Sequence, residues 1–276
     1  MRAAERLNLA QPALSQLMKN PEAELGATLF VRGRRQSVLT AAGRELLPRA
    51  EVLLAQAAAA RHAVAEVAGL RGGRLVIASI PSVSAGWVPD AIRGFRAAWP
   101  KVELCLMEES SAGVARLEES GRAELGLIQT PVDETRFDQR RVLVEPFVVL
   151  LPPRHPLAER RSLRLEKLAT ENFIFYKGRA KDSALVACRE AGFEPRIACE
   201  SGQLETIRAL VGAGLGVAIL PRLAARDPLG EERAVRLSHP LVRRTVALIS
   251  LRQRAMSPAA AEFTRHITRQ TPDRRG

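Results

Sequence analysis

The sequence predicts an α/β protein in three parts. These are a partial winged helix-turn-helix, one long helix, and a larger region of alternating strands and helices. Three observations carry the prediction. Residues 11–40 run from a Pro-opened helical stretch to two short apolar runs around a basic, Gly-containing turn. Residues 41–71 are dominated by alanine and leucine with no β-branched run, a composition that strongly favours helix. From Leu75 onward, apolar runs of strand length alternate with amphipathic stretches of helix length. That alternation gives βαβ units and a mostly parallel sheet covered on both faces.

Residues Ala3 to Leu7 read as a helix end, and Asn8-Leu9 as a corner, since Asn tolerates the left-handed conformation that closes a helix. Gln11-Pro12-Ala13-Leu14-Ser15-Gln16 opens a second helix, with Pro12 in the first turn where a missing N–H costs nothing. Such a pair can lay its second helix in the major groove. Gln11, Ser15, Gln16 and Lys19 share one polar face. Gln bonds adenine with two hydrogen bonds, Lys reaches guanine or phosphate, and Ala13 offers a methyl to thymine. Pro12 belongs to the same candidate interface. Arg32, Arg34 and Arg35 sit on the turn between Leu29-Phe30-Val31 and Ser37-Val38-Leu39-Thr40, where they would contact phosphate and set register rather than sequence. The plainer reading is a solvated polar face, and the flanking pattern favours DNA over it.

In residues 41–71, Leu46, Leu53, Leu54, Ala57, Ala60, Val64 and Val67 recur at helical spacings. An apolar stripe on so long a helix needs a partner. A second copy of the helix is favoured over packing on its own domain. Pro48 is expected to bend the first turns. Gly72-Gly73 then ends the helix and frees the chain.

Beyond that boundary, strands are expected at Leu75–Ser79, Val102–Met107 and Leu125–Ile128, with helices at Trp87–Trp99 and Val114–Ser120. A second run starts at Phe147–Leu151. It continues through a helix at Ser183–Glu190, a strand at Ile197–Glu200, a helix at Gln203–Gly212 and a strand at Val217–Leu220. Val246–Leu251 reads as a late strand and Pro258–Thr268 as a late helix.

The ordered motifs AAERL-x-x-x-QPALS, ELG-x-x-LF-x-R and LT-x-AG resemble the amino-terminal domain of LysR-type transcriptional regulators, and the resemblance continues to the end of the chain. It implies a bacterial transcriptional regulator with a DNA-binding domain at 1–40, a linker and dimerisation helix at 41–71, and an effector-binding domain at 74–270. That domain would be a two-lobed clamshell similar to periplasmic binding proteins. Lobe I would take residues 74–146 and 245–270, and lobe II residues 147–244, with crossings near Leu143–Phe147 and His239–Arg244. Promoter DNA, a small-molecule effector and a homodimer or homotetramer are the implied partners. The alternative is a small-molecule binding protein that has lost DNA binding. Three departures stand out. Met1 falls almost on the AAERL motif, so the family's first helix would lie upstream and a misplaced start is expected. Ala10 replaces a capping serine, worth about 1 kcal/mol. Pro21 falls inside the recognition helix, where proline costs about 3 kcal/mol.

Effector candidates follow from the rule that ligands in open α/β sheets bind beyond the carboxyl ends of strands. Ser82, Val83 and Ser84 follow the first strand, Gln129-Thr130-Pro131 ends a later one, and Ser201-Gly202-Gln203 faces them across the hinge. Hydroxyls and free N–H groups at helix starts suit an anion such as a carboxylate, although ordinary N-capping uses the same residues. Net charge is +12 over 276 residues, which suits a polyanion partner. There is no apolar run long enough for a bilayer and no signal-peptide core, so the cytoplasm is expected. Gly212-Ala213-Gly214-Leu215-Gly216 follows a helix and precedes a strand, the reverse of a dinucleotide site, so no cofactor is expected. Neither a nucleophile–base set nor a metal-ligand spacing appears among the four His and three Cys, so no catalytic or metal site is expected and the chain is not read as an enzyme.

Overall fold

The computed structural model describes residues 10–32, 37–67, 73–225 and 232–269. The chain divides into two units, residues 1–58 and 59–276. In the first unit, α1 spans Gln11–Leu25. Ala10 offers it no side-chain cap, Pro12 occupies the first turn, and the helix continues through Pro21 to a left-handed Gly26 at φ 62°. The Glu22 carboxylate ties this helix forward: its Oε1 accepts from Leu29 N at 2.7 Å and Phe30 N at 3.1 Å. Strands β1 (Phe30–Arg32) and β2 (Ser37–Leu39) pair antiparallel, Val31 opposite Val38. Helix α2 follows at Ala41–Val67. Thr40 caps it, its Oγ1 accepting from Gly43 N at 3.0 Å while donating to Thr28 O at 2.7 Å. A Cβ on Gly43 would sit 2.3 Å from Leu29 O, so only glycine lets α2 start so close to the hairpin. The helix end expected at Ala3–Leu7, the Asn8-Leu9 corner, the basic turn at 33–36 and the Gly72 boundary lie outside the described residues.

The second unit has two lobes. Strand β3 (Arg74–Ser79) leads to the short helix α3 (Pro81–Gly86) and then to α4 (Val88–Ala98). Strand β4 (Glu103–Glu108), α5 (Ser111–Glu119) and β5 (Leu125–Gln129) follow. These three strands are mutually parallel in the order β4-β3-β5. The sheet is not mostly parallel, however. Strand β6 runs from Phe137 to Leu151, and β12 (Arg243–Leu251) lies antiparallel between it and β5. The physical reason the sequence hid this is that Asp138, Gln139, Arg140 and Arg141 in the first half of β6 are exposed, so that half carries no apolar run.

The second half of β6 enters the other lobe, where β10 (Ala218–Pro221) and β11 (Arg233–His239) pair antiparallel with it. Strand β7 (Ser162–Arg164) adds parallel to β11, and β8 (Asn172–Tyr176) pairs with β9 (Arg196–Ser201). Phe147, Val149 and Leu151 point into one core with Ala184 and Cys188 of α6 (Arg179–Glu190). Val148 and Leu150 point into another, with Ile207 and Val211 of α7 (Leu204–Gly212). The strand is thus apolar on both faces because both are covered. In the first lobe the final helix α8 (Pro258–Arg269) packs on α4, with Phe263 edge-on to Phe95 at 5.2 Å between ring centres. At the end of α7, Gly214 takes φ 81°. A Cβ on Gly216 would meet Asn172 O at 2.3 Å, so this glycine cluster is a helix exit and a close strand contact.

Candidate functional site

A narrow cleft of about 30 Å³ lies where the strand ends of the two lobes meet. The first lobe contributes Ile80, Pro81 and Ser82 after β3, Ser110 and Ser111 after β4, and Gln129 at the end of β5. The second lobe contributes Tyr176, Lys177, Gly178, Arg179 and Ala180, the turn from β8 into α6. Gly178 has φ 134°, a backbone region essentially closed to L side chains. Its use there turns the chain so that α6 begins at the cleft.

Arg244, from the crossing strand β12, closes the floor. Its side chain is only 2% exposed. Nε donates to Glu145 Oε1 at 2.7 Å and Nη2 donates to Ser82 Oγ at 2.8 Å. Burial pulls the guanidinium below its ordinary pKa, and the Glu145 carboxylate opposes that pull. Glu145 Oε2 accepts from Leu223 N at 2.6 Å, so the buried ion pair has its remaining acceptor satisfied from the second lobe, as buried charge requires. Burial also pushes the Tyr176 phenol up, with Glu108 adding to it. Besides the Leu223–Glu145 bond, two side-chain hydrogen bonds tie the end of β5 to the start of α6 across the lobes: Gln129 Nε2 to Ser183 Oγ at 3.3 Å, and Arg179 Nη1 to Pro131 O at 2.5 Å.

In the first unit, Pro12, Ala13, Gln16 and Lys19 are exposed on α1, and Gln16 Nε2 donates to Asn20 Oδ1 at 3.2 Å. The sequence of residues 1–44 matches the family model described as "Bacterial regulatory helix-turn-helix protein, lysR family", and residues 68–272 match "LysR substrate binding domain". The chain belongs to the LysR family of transcriptional regulators.

Among LysR-family relatives, the uncharacterized HTH-type transcriptional regulator YnfL of Escherichia coli (strain K12) is 34% identical, over 96% of this chain and 91% of that protein. Full-length CbnR in complex with its target DNA shares the fold with a TM-score of 0.78 at 23% identity, covering 97% of this chain and 93% of that one. The effector-binding domain of QuiR in complex with shikimate shares it with a TM-score of 0.66 at 19% identity, covering 74% of this chain and 99% of that one.

The candidates named from this LysR-family sequence fall in different places. Ser82 and Gln129 line the cleft. Val83 does not: α3 is helical, and its middle turns Val83, fully buried, into the first-lobe core. Ser84 is likewise turned inward, its Oγ buried without a hydrogen-bond partner among the described residues. Thr130 and Pro131 line a separate groove of about 480 Å³ with Glu134, Gln139, Arg141 and Thr245. Ser201, Gly202 and Gln203 are outside the cleft lining. Ser201 Oγ accepts from Gln203 N at 3.1 Å, a local turn of the backbone made by a serine hydroxyl. The side chains of Gln11, Ser15 and Arg32, and all of Arg34 and Arg35, lie outside the described residues.

Sequence reasoning missed Arg244, Tyr176, Lys177, Arg179, Ser110 and Ser111. A signal existed for Ser110 and Ser111, which follow an expected strand just as Ser82 does. Ser110 also caps α5, Gly113 N donating to its Oγ at 3.2 Å. The Tyr176–Arg179 turn was invisible because β8 was not recognised as a strand. Neither redox nor thiolate chemistry is favoured at Cys188, fully buried, whose thiol burial pushes up to about 12.

Proposed function

We propose that this LysR-type regulator binds promoter DNA through α1 and the adjoining hairpin, and that an anionic small molecule held in the cleft controls it. The observation that carries the proposal is a cleft beyond the strand ends whose lining brings Ser82 and Ser110 together with Lys177 and Arg179, in a chain that also matches a DNA-binding family model. The molecules bound by the two structural neighbours, target DNA by CbnR and shikimate by QuiR, support both halves. The candidate contacts are Gln11, Pro12, Ala13, Ser15, Gln16 and Lys19 for DNA, with Arg32, Arg34 and Arg35 on phosphate. For the ligand they are Ser82 and Gln129, joined by Ser110, Arg244 and Arg179.

Self-association runs through α2, where Leu53 and Leu54 are each 70% exposed and Leu47 is 47% exposed. Leucines so exposed on one helix suit a second copy of it. A homodimer or homotetramer acting in the cytoplasm follows. Among the described residues no helix is long and apolar enough to cross a membrane.

A gel shift with DNA from beside the protein's own gene tests the first half. Retarded, competitor-resistant complexes are expected, weakening steeply as salt rises. Thermal shift with small carboxylates tests the second, and Ser82→Val is expected to lose the stabilisation. Binding of carboxylates undiminished in S82V would remove the floor from the proposed site.

A further inference from the structure

The cleft contains three cations with different standing. Arg244 is buried and already balanced: Glu145 Oε1 lies 2.5 Å from its Nη2, and both side chains are 4% exposed or less. A ligand carboxylate at the floor would therefore meet an ion pair rather than a free positive charge. Lys177 and Arg179 line the mouth and are exposed. Among the described residues neither has a carboxylate within salt-bridge distance. The charge that an anion would meet is at the mouth.

Arg179 has a second property. Its Nη1 donates to Pro131 O, a neutral acceptor in the first lobe, at 2.5 Å. This bond and that from Gln129 Nε2 to Ser183 Oγ at 3.3 Å join the end of β5 to the first turns of α6. The Gln129 bond is long and uncharged, so Arg179 supplies the stronger tie. A carboxylate is a better partner for guanidinium than a peptide carbonyl, because charge-assisted bonds are roughly twice as strong as neutral ones and can form as a parallel pair. An anion inside the cleft would compete directly with Pro131.

We infer that Arg179 is the specificity-determining residue of the cleft: it reads the ligand's negative charge, and in doing so exchanges its Pro131 contact for the ligand and releases the tie between α6 and β5. This rests on the proposed function of the cleft as an anion site. The consequence is a molecule in which ligand charge and lobe coupling are set by one side chain. An uncharged isostere would fill the space without releasing the tie.

The full chain is compared with R179Q and R179K. Amide hydrogen exchange without ligand reads the tie. In R179Q, exchange at residues 180–183 and 132–134 is expected to rise at least fivefold, with β10 unchanged. Shikimate, benzoate and succinate, each beside its amide, probe the charge reading by thermal shift. Wild type is expected to prefer at least one acid over its amide by tenfold or more. R179Q should hold the two within threefold, and R179K should retain part of the preference. Unchanged exchange in R179Q would overturn the tie. An intact acid preference in R179Q would overturn the assignment to Arg179 while leaving the cleft an anion site. No binding of any acid by wild type would overturn the anion reading itself, and this inference with it.

Discussion

Replacing Glu118 by glutamine should remove most of the pH dependence of stability of the first lobe between about pH 4.5 and 8. Glu118 sits at the end of α5 with no exposed surface. Its Oε1 accepts from Leu251 N at 3.1 Å, but its Oε2 has no hydrogen-bond partner among the described residues. Arg254 Nη1 is 3.7 Å from Oε2, beyond hydrogen-bond reach, and donates instead to the Glu118 carbonyl at 3.0 Å. Burial therefore outweighs the Arg254 attraction and raises the carboxyl from 4.5 to about 8. A raised acid binds its proton in the folded state over a range where the unfolded chain has lost it. Stability then falls as pH rises from about 4.5 to about 8 and is flat above. At 1.36 kcal/mol per pH unit the ceiling is about 5 kcal/mol. Local relaxation toward water or toward Arg254 should reduce what is measured to about 2–3 kcal/mol. Glutamine preserves the neutral shape without the titration. Urea unfolding of wild type and E118Q at pH 5, 7 and 9 gives the test: the variant's advantage should grow from pH 5 to about 8 and level off above it. Parallel pH profiles would show that Glu118 is ionised and satisfied in the native state, and the argument from burial would be wrong.

Three further outcomes are expected. Arg244→Met leaves Glu145 buried without its partner and should cost about 3–5 kcal/mol in urea unfolding, with R244M/E145Q recovering much of it; no recovery would mean the pair is not coupled as its geometry shows. Gly43→Ala puts a methyl 2.3 Å from Leu29 O, a backbone atom, and should lower the stability of the amino-terminal unit by about 1–3 kcal/mol and weaken DNA retardation; wild-type behaviour would mean α2 can shift at no cost. Leu53→Ser with Leu54→Ser should move the protein to smaller species in sedimentation velocity, and an unchanged distribution would locate self-association elsewhere.

What the sequence revealed, and what it hid, follows from how local each signal was. Helix α1 was legible from Pro12 and the spacing of its polar face, and β12 from a continuous run of apolar or small residues, Val246–Leu251, set into the sheet. The LT-x-AG motif was legible as a pattern, but its cause was not: Thr40 caps α2, and Gly43 leaves room for the carbonyl of Leu29. The first half of β6 was hidden because Asp138 to Arg141 are polar and exposed in succession, and with it went the knowledge that two strands cross behind the cleft. Arg244 depends on that knowledge entirely. In sequence it is one of two arginines before an apolar run, with nothing to separate it from Arg243. Alternation along the strand makes the difference, since Arg243 is exposed while Arg244 is buried against Glu145, its cross-strand neighbour. The strand-end rule had the opposite fault: it treated Ser82, Val83 and Ser84 as equal, although helical α3 sends successive side chains in different directions. A hydroxyl at a strand end marks a neighbourhood, and the period of the following element decides which side chain reaches the ligand. Applied with that correction, the rule selects Ser82 after β3 and Ser110 after β4. Those are two hydroxyls that the first lobe brings to the same cleft as Arg179.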